Sequence, residues 1–327
     1  MSPHHRGAGA APGTGARRAA ASIVVRDAAG DAARDAARDA AAPRYAEARP
    51  CAALAPWVEC YWSIRASSAR GVPNRVLPDG CADVIVDLGG APLHPSARTF
   101  VVGAMRRPLV TSLSGRVDLF GVRFHPGGAF PFLGAPLGEL TDVRVSLDSL
   151  WGGLAASLAE QLDGASPGER VARVEALLLA RLGALGPGAM RREEELVLAA
   201  VSLMRRSRGG ARVRDAAAAL GVGERRLERA FDRCVGLSPK FLARVLRFRD
   251  VIRSMESAEE RWGAARRGGS RPTRSWTAVA LDAGYADQPH FVREFRALAG
   301  VTPSAWAAER RARGAVGFVQ DESGAGA

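Results

Sequence analysis

The chain has 327 residues, is 47% hydrophobic and carries a formal net charge of +12. That length gives room for two domains and a packed core, and the absence of a run of about 20 apolar residues excludes a membrane-spanning helix. Arg17 and Arg18 precede a short apolar stretch with no convincing cleavage pattern after it, so a cytoplasmic location is expected. The charge is unevenly placed: residues 191–314 hold 26 Lys/Arg against 15 Asp/Glu. A basic segment of this kind attracts phosphate through counterion release. The four cysteines, Cys51, Cys60, Cys81 and Cys234, lack CxxC spacing and read as reduced, mostly buried thiols.

In chain order, residues 1–43 are a low-complexity stretch of Ala, Gly, Arg and Asp. They lack the apolar stripe that would dock a helix, and a disordered tail is expected. Residues 44–183 read as an α+β domain. Trp57–Arg65 is predicted to be a short helix or turn running into a strand. A Pro-Asp-Gly turn at 78–80 leads into a strand over Ala82–Leu88. Further strands are predicted over Thr99–Met105, Leu109–Ser114 and Val117–Phe124, rich in Val, Leu and Phe and broken by Gly and Pro. A helical phase follows, ending in a stripe at Val171, Val174, Leu177, Leu178 and Leu182. Residues 184–192 have linker composition, and 313–327 read as a flexible tail.

Residues 193–312 carry a helix-turn-helix pattern written twice, as VRDAAAALGVGERRLERAFD (213–232) and WTAVALDAGYADQPHFVREFR (276–296). Each copy has a short Ala-rich helix and a Gly where that helix must stop, Gly221 or Gly284. A second helix follows, with an apolar anchor (Leu227, Phe291) and a closing Phe (Phe231, Phe295). Glycine suits the stop because the residue after a helix commonly takes positive φ. Ala217 and Ala280 are small enough for the paired helices to cross closely. Between the copies, Phe241, Leu242, Val245, Phe248, Ile252 and Met255 define a joining helix over Pro239–Met255, N-capped by Ser238. Residues 257–275 read as an Arg/Gly-rich loop.

The first motif, GLSPKFLARVLRFRDVI (236–252), AGYADQPHFVREF (283–295) and GVTPSAW (300–306) together resemble the DNA-binding domain of the AraC/XylS family of transcription regulators. The resemblance covers over a third of the chain. It implies seven helices forming two helix-turn-helix units bridged by a rigid helix; the longer segment between the units departs from the family pattern. The segments WVECYWSI (57–64), LPDGCADVIVDLG (77–89), VGAMRRPL (102–109) and GVRFHPGGAFPFLG (121–134) resemble a domain of unknown function that accompanies such regulators, which implies a sensory or dimerisation role.

The second helix of each unit would enter a major groove. Arg225 and Arg229, one turn apart, are the first candidates to read guanine, with Arg226 beside them and Glu228 suited to a cytosine amine. In the second unit Asp287 caps the helix, Gln288 suits adenine, Arg293 suits guanine or phosphate, and His290 faces outward. Arg244, Arg247 and Arg249 are expected to touch phosphate. The partners expected are double-stranded promoter DNA, RNA polymerase, a small-molecule effector and a second copy of the chain, with no membrane and no cofactor. Candidate effector groups are Asp79, Cys81, Asp83, Arg106, Arg107, Arg123 and His125. The aromatics Trp57, Tyr61, Trp62, Phe120, Phe124, Phe130 and Phe132 read mostly as core, with some available to line an apolar pocket. The spacing of Cys51, Cys60 and Cys81 does not fit a structural zinc motif, and nothing local activates Cys60 or Cys81 as a redox switch. The alternatives are a non-specific architectural DNA binder and a DNA-targeted enzyme or alkylation-responsive regulator. No Ser-His-Asp pattern, phosphate loop or activated cysteine speaks for an enzyme.

Overall fold

A computed structural model describes residues 23–24, 44–90, 92–186, 192–264 and 276–312. The expectations for the 1–43 and 313–327 tails therefore lie outside it, apart from Ile23–Val24, as does most of the expected 184–192 linker. The N-terminal part is one antiparallel sheet, and the C-terminal part is helical. The strands are β1 (Ile23–Val24), β2 (Arg44–Ala48), β3 (Val58–Val76), β4 (Ala82–Asp87), β5 (Thr99–Val102), β6 (Leu109–Phe124) and β7 (Arg144–Ser146), in the order β1-β2-β3-β6-β4-β5-β7.

One expectation is corrected here. The segments 109–114 and 117–124 are one strand, because Gly115 (φ +68°) pairs with Ser68 beside a bulge in β3 instead of breaking the strand. An isolated strand glycine often marks such a bulge. Trp57–Arg65 runs, as expected, from a turn ending at Trp57 into strand from Val58 onward, and that strand is carried by its partner β6 from Val58↔Phe124 to Val76↔Leu109.

Side chains of the sheet alternate between two faces. Val84, Val86, Val101, Phe120 and Val122 point to one face, which helices cover; Trp62, Ile64, Ile85, Phe100 and Leu119 form a smaller apolar cluster on the other. Gly121 is required on β6 because the Trp62 ring lies across it: a Cβ there would sit about 2.1 Å from the ring. The covering helices are α1 (Phe130–Leu133), α2 (Asp148–Trp151), α3 (Gly153–Leu162) and α4 (Pro167–Ala184), with a 3-10 turn at Leu137–Leu140. Helix α4 starts on a capping box, Ser166 with Glu169, and buries Val171, Val174 and Leu178 as its stripe predicts. Its buried Arg170 grips Asp118 of β6 through two bonds of 2.7 and 2.9 Å.

Seven helices follow among the described residues: α5 (Arg192–Arg206), α6 (Val213–Ala219), α7 (Glu224–Cys234), α8 (Pro239–Ala264), α9 (Trp276–Asp282), α10 (Gln288–Ala299) and α11 (Pro303–Ala312). The expected loop over 257–275 is helical as far as Ala264, since SAEERWGA is rich in good helix formers that prolong α8; the rest of it lies outside the described residues. Helix α8 serves two cores. Leu242, Ala243 and Leu246 pack with the sheet, α5 and α7, while Val245, Phe248, Val251 and Ile252 pack with α9, α10 and α11.

Candidate nucleic-acid interface

The two helical pairs, α6–α7 and α9–α10, are built alike. Gly221 (φ +66°) and Gly284 (φ +80°) end the leading helices. Val222 N–H then donates to the Ala217 carbonyl and Tyr285 N–H to the Ala280 carbonyl, each at 3.0 Å. This return bond closes the helix end and aims the chain into the next helix. Ala217 and Ala280 are buried where the paired helices meet, as their size requires.

Counted from the first residue of each helix, α7 and α10 bury the same positions: Leu227 matches Phe291 and Phe231 matches Phe295. The same count places Arg229 opposite Arg293, both exposed. Arg225, Arg226, Glu228 and Gln288 are exposed as well. None of these six side chains forms a hydrogen bond or ion pair among the described residues. The sheet region does not neutralise these arginines, which leaves them open to an external anion. The caps differ: Asp287 Oδ1 accepts from His290 N–H at 2.6 Å, whereas α7 starts on Gly223 without a side-chain cap. His290 does not stand clear of the protein. Its ring meets Tyr285 edge-on at 5.5 Å, and its Nε2 lies 3.9 Å from Glu294.

Sequence reasoning passed over Glu294. It is only 6% exposed on the inner face of α10, where the equivalent residue of α7 is Ala230, and it pairs with Arg244 of α8. The signal was present: positions 291, 294, 295 and 298 share one helix face. Burying a carboxylate is costly unless it is paired, so this ion pair ties α10 to α8. Of the α8 arginines expected to touch phosphate, only Arg249 is buried; Arg244 is partly exposed, held by Glu294 and 5.1 Å over Phe241, and Arg247 is partly exposed and 5.8 Å over Tyr285.

Five of the seven expected effector groups converge, but inside the protein. Arg123, buried on β6, lies 3.2 Å from Asp83 and 3.5 Å from Asp79. Beside it, Glu59 of β3 lies 3.1 Å from Arg205, 3.3 Å from the Cys81 sulfur and 3.4 Å from His125 Nδ1. Arg205 comes from α5 and also reaches His125 Nδ1 at 2.9 Å. The cluster therefore joins the sheet to the first helix of the helical region. Burial pushes the Asp83 carboxyl up to about 6, against the pull of Arg123. Burial also opposes the Glu59 charge, but His125 and Arg205 outweigh it and hold that carboxyl well below the usual range. Burial raises the Cys60 and Cys81 thiols, so both stay protonated. Arg106 stands apart, paired with Asp142 at 2.7 Å on the surface, and Arg107 is exposed. Neither Glu59 nor Arg205 was foreseen, because only the fold brings them to these groups. The aromatic candidates fill core space, as with Phe124 and Phe132 at 5.3 Å. The cleft lined by Tyr61, Trp62, Phe120 and Arg170 encloses about 20 Å³, room for about one water molecule.

Residues 46–146 match a family model described as a domain of unknown function, DUF6597. Among curated proteins no sequence matches the chain. Among solved structures, the chain is similar to ToxT from Vibrio cholerae, with 13% identity and a TM-score of 0.39, covering 75% of this chain and 96% of that one. An unsaturated fatty acid bound form of wild-type ToxT gives 12% identity and a TM-score of 0.34, covering 72% and 89%. Likeness at this level carries no argument about function, and the reading below rests on this chain's own residues.

Proposed function

We propose that the protein is a sequence-specific, DNA-binding transcription regulator of the AraC/XylS type, working in the cytoplasm without enzymatic activity. The observation that carries this reading is the duplicated helix pair with an exposed, unengaged arginine at the same place in both second helices, Arg229 and Arg293. Helices α7 and α10 enter successive major grooves on one face of promoter DNA, spaced by the shared helix α8. Arg225, Arg229 and Arg293 read guanine, Gln288 reads adenine, Glu228 accepts from cytosine, and Arg226 and His290 complete the contact. The sheet region, 44–183, controls the helical region, 193–312, in response to a small-molecule effector or a second copy of the chain, and the complex engages RNA polymerase. The cluster around Glu59, Arg123 and Arg205 supports such control, because it physically links the sheet to α5.

The test is selection of genomic fragments by the purified full chain at near-physiological salt, followed by sequencing. Enrichment of a small set of promoter fragments sharing a two-part motif is expected. Equal retention of all fragments, with a steep salt dependence, would replace this reading by the architectural one.

A further inference from the structure

The glycine turn that follows each second helix is contacted by the sheet region in both pairs. After α7 the turn is Gly236-Leu237-Ser238-Pro239, and after α10 it is Gly300-Val301-Thr302-Pro303. Both glycines take positive φ, +82° and +74°. Against the first turn the 3-10 segment presses the Leu137 carbonyl, and Thr141 Oγ1 donates to the Gly236 carbonyl at 2.6 Å. A Cβ on Gly236 would meet Leu137 O and Thr141 Oγ1 at 2.5 Å. Against the second turn, Arg75 of β3 donates from one guanidinium nitrogen to the Ala299 carbonyl at 3.0 Å and from another to Glu309 of α11 at 3.3 Å. A Cβ on Gly300 would touch Arg75 and Pro108 at 3.1 Å.

The two grips differ in strength. The first lies within one continuous apolar core that includes the sheet, α5, α7 and the start of α8. The second core contains Leu77 as its only fully buried side chain from the sheet region among the described residues. Besides Leu77 and the Pro108 ring against Gly300, the second pair meets the sheet region through the forked Arg75, with Asn74 buried beside it in sequence. Arg75 Nε is buried without a hydrogen-bond partner, which lowers the net cost of releasing the side chain to water. A guanidinium fork on one carbonyl and one carboxylate is a directional contact that another side chain does not reproduce.

We infer that Arg75 is a positioning residue through which the sheet region sets the separation of the two DNA-reading helices. The first helix is fixed to the sheet, so the sheet end of the Arg75 fork is fixed relative to α7. The other end holds the C-terminal end of α10. Closing the fork locks the distance between the helices, and opening it leaves that distance to α8 alone. The inference rests on the reading of α7 and α10 proposed above.

The experiment uses the full chain and a two-part DNA site obtained by fragment selection, with base pairs added or removed one at a time between its halves. The wild type is expected to discriminate the optimal from neighbouring spacings by about tenfold or more, within the usual range of coupling between sites. Arg75→Ala is expected to keep both half-site preferences, lose most of the spacing discrimination, and exchange amide hydrogens faster over Trp276–Ala312. Arg75→Lys, which keeps the charge but lacks the two-nitrogen fork, is expected to fall between. A lower melting temperature with an unchanged spacing profile would show a merely structural contact and overturn the inference. Should Arg75→Ala fail to fold, Glu309→Gln answers instead, with a broadened profile in support and an unchanged one against. A wild type that selects no two-part site defeats the functional reading itself, an outcome distinct from an unchanged profile in the variants.

Discussion

The two helical pairs share a pattern almost residue for residue, yet one is built into the sheet and the other is attached to it. Leu227, Phe231 and Cys234 of the first pair pack in the same core as Val84, Phe120 and Phe124. Their counterparts Phe291 and Phe295 pack with Phe248, Trp276 and Trp306, an aromatic group of their own with neighbouring ring centroids 5.2 to 6.4 Å apart. A repeated motif fixes the geometry inside each copy and leaves the surroundings of each copy free to diverge. The tethered copy is the one whose second helix carries a buried carboxylate paired with α8, Glu294 with Arg244, where the integrated copy has Ala230.

The largest test of this contrast is truncation of the matched phenylalanines. Phe231→Ala and Phe295→Ala should each cost roughly 3–5 kcal/mol, the usual loss for a buried aromatic. In hydrogen exchange, Phe231→Ala should deprotect the sheet together with the first pair, and Phe295→Ala chiefly residues 276–312. Equal deprotection everywhere in both variants would erase the distinction.

Turn glycines come next. Gly236→Ala adds a clash with Leu137 O to the strain of positive φ and should cost roughly 2–4 kcal/mol in urea unfolding. Gly284 has nothing within 4 Å of its added Cβ, so Gly284→Ala should cost only the conformational strain, about 1–2 kcal/mol.

On DNA, Arg229→Ala and Arg293→Ala should each weaken binding by about 1–3 kcal/mol and relax the preference in a different half of the motif. Loss of the same half in both variants would contradict the assignment of one groove to each helix.

A further effect is in pH. The Asp83 carboxyl in the folded chain is pushed up to about 6 from an ordinary value of 3.8. Between those values the folded state binds more protons than the unfolded state, so this group makes stability fall as pH rises through the window. Asp83→Asn should remove that contribution. Thermal melts across the window should show the change in the sheet and first pair, and not in residues 276–312.

Much of the helical region was legible because its signals are local. Gly221, Gly284, Asp287 and Pro239 are backbone instructions that act within a few residues, and the apolar spacing of α7 and α10 names the buried face directly. The strands were legible in part: Val- and Phe-rich runs gave their existence, but only pairing with β3 joined 109–114 to 117–124 across Gly115. Of the candidate reading residues, exposure followed from periodicity; His290 is only partly exposed because the Tyr285 ring, which precedes its helix, packs against it. The effector candidates illustrate the opposite limit. Asp79, Cys81, Asp83, Arg123 and His125 come together while Arg106 and Arg107 do not, and the partners Glu59 and Arg205 lie 146 residues apart and meet only after the sheet and α5 have packed.

By itself the sequence determined the order of the C-terminal helices, the doubled helix pair and the exposed arginines, since propensity, capping and periodicity operate over one or two turns of chain. Only the tertiary structure decided the sheet's edge strands β2 and β7, that Arg249 is buried and Arg244 tied to Glu294, that the charged groups of the sheet pack against α5, and that Arg75 reaches the second pair. Those charge pairings depend on which buried charges find partners across long separations in sequence. An unpaired buried charge is costly, so the packing of whole elements, rather than any local pattern, selects the pairs.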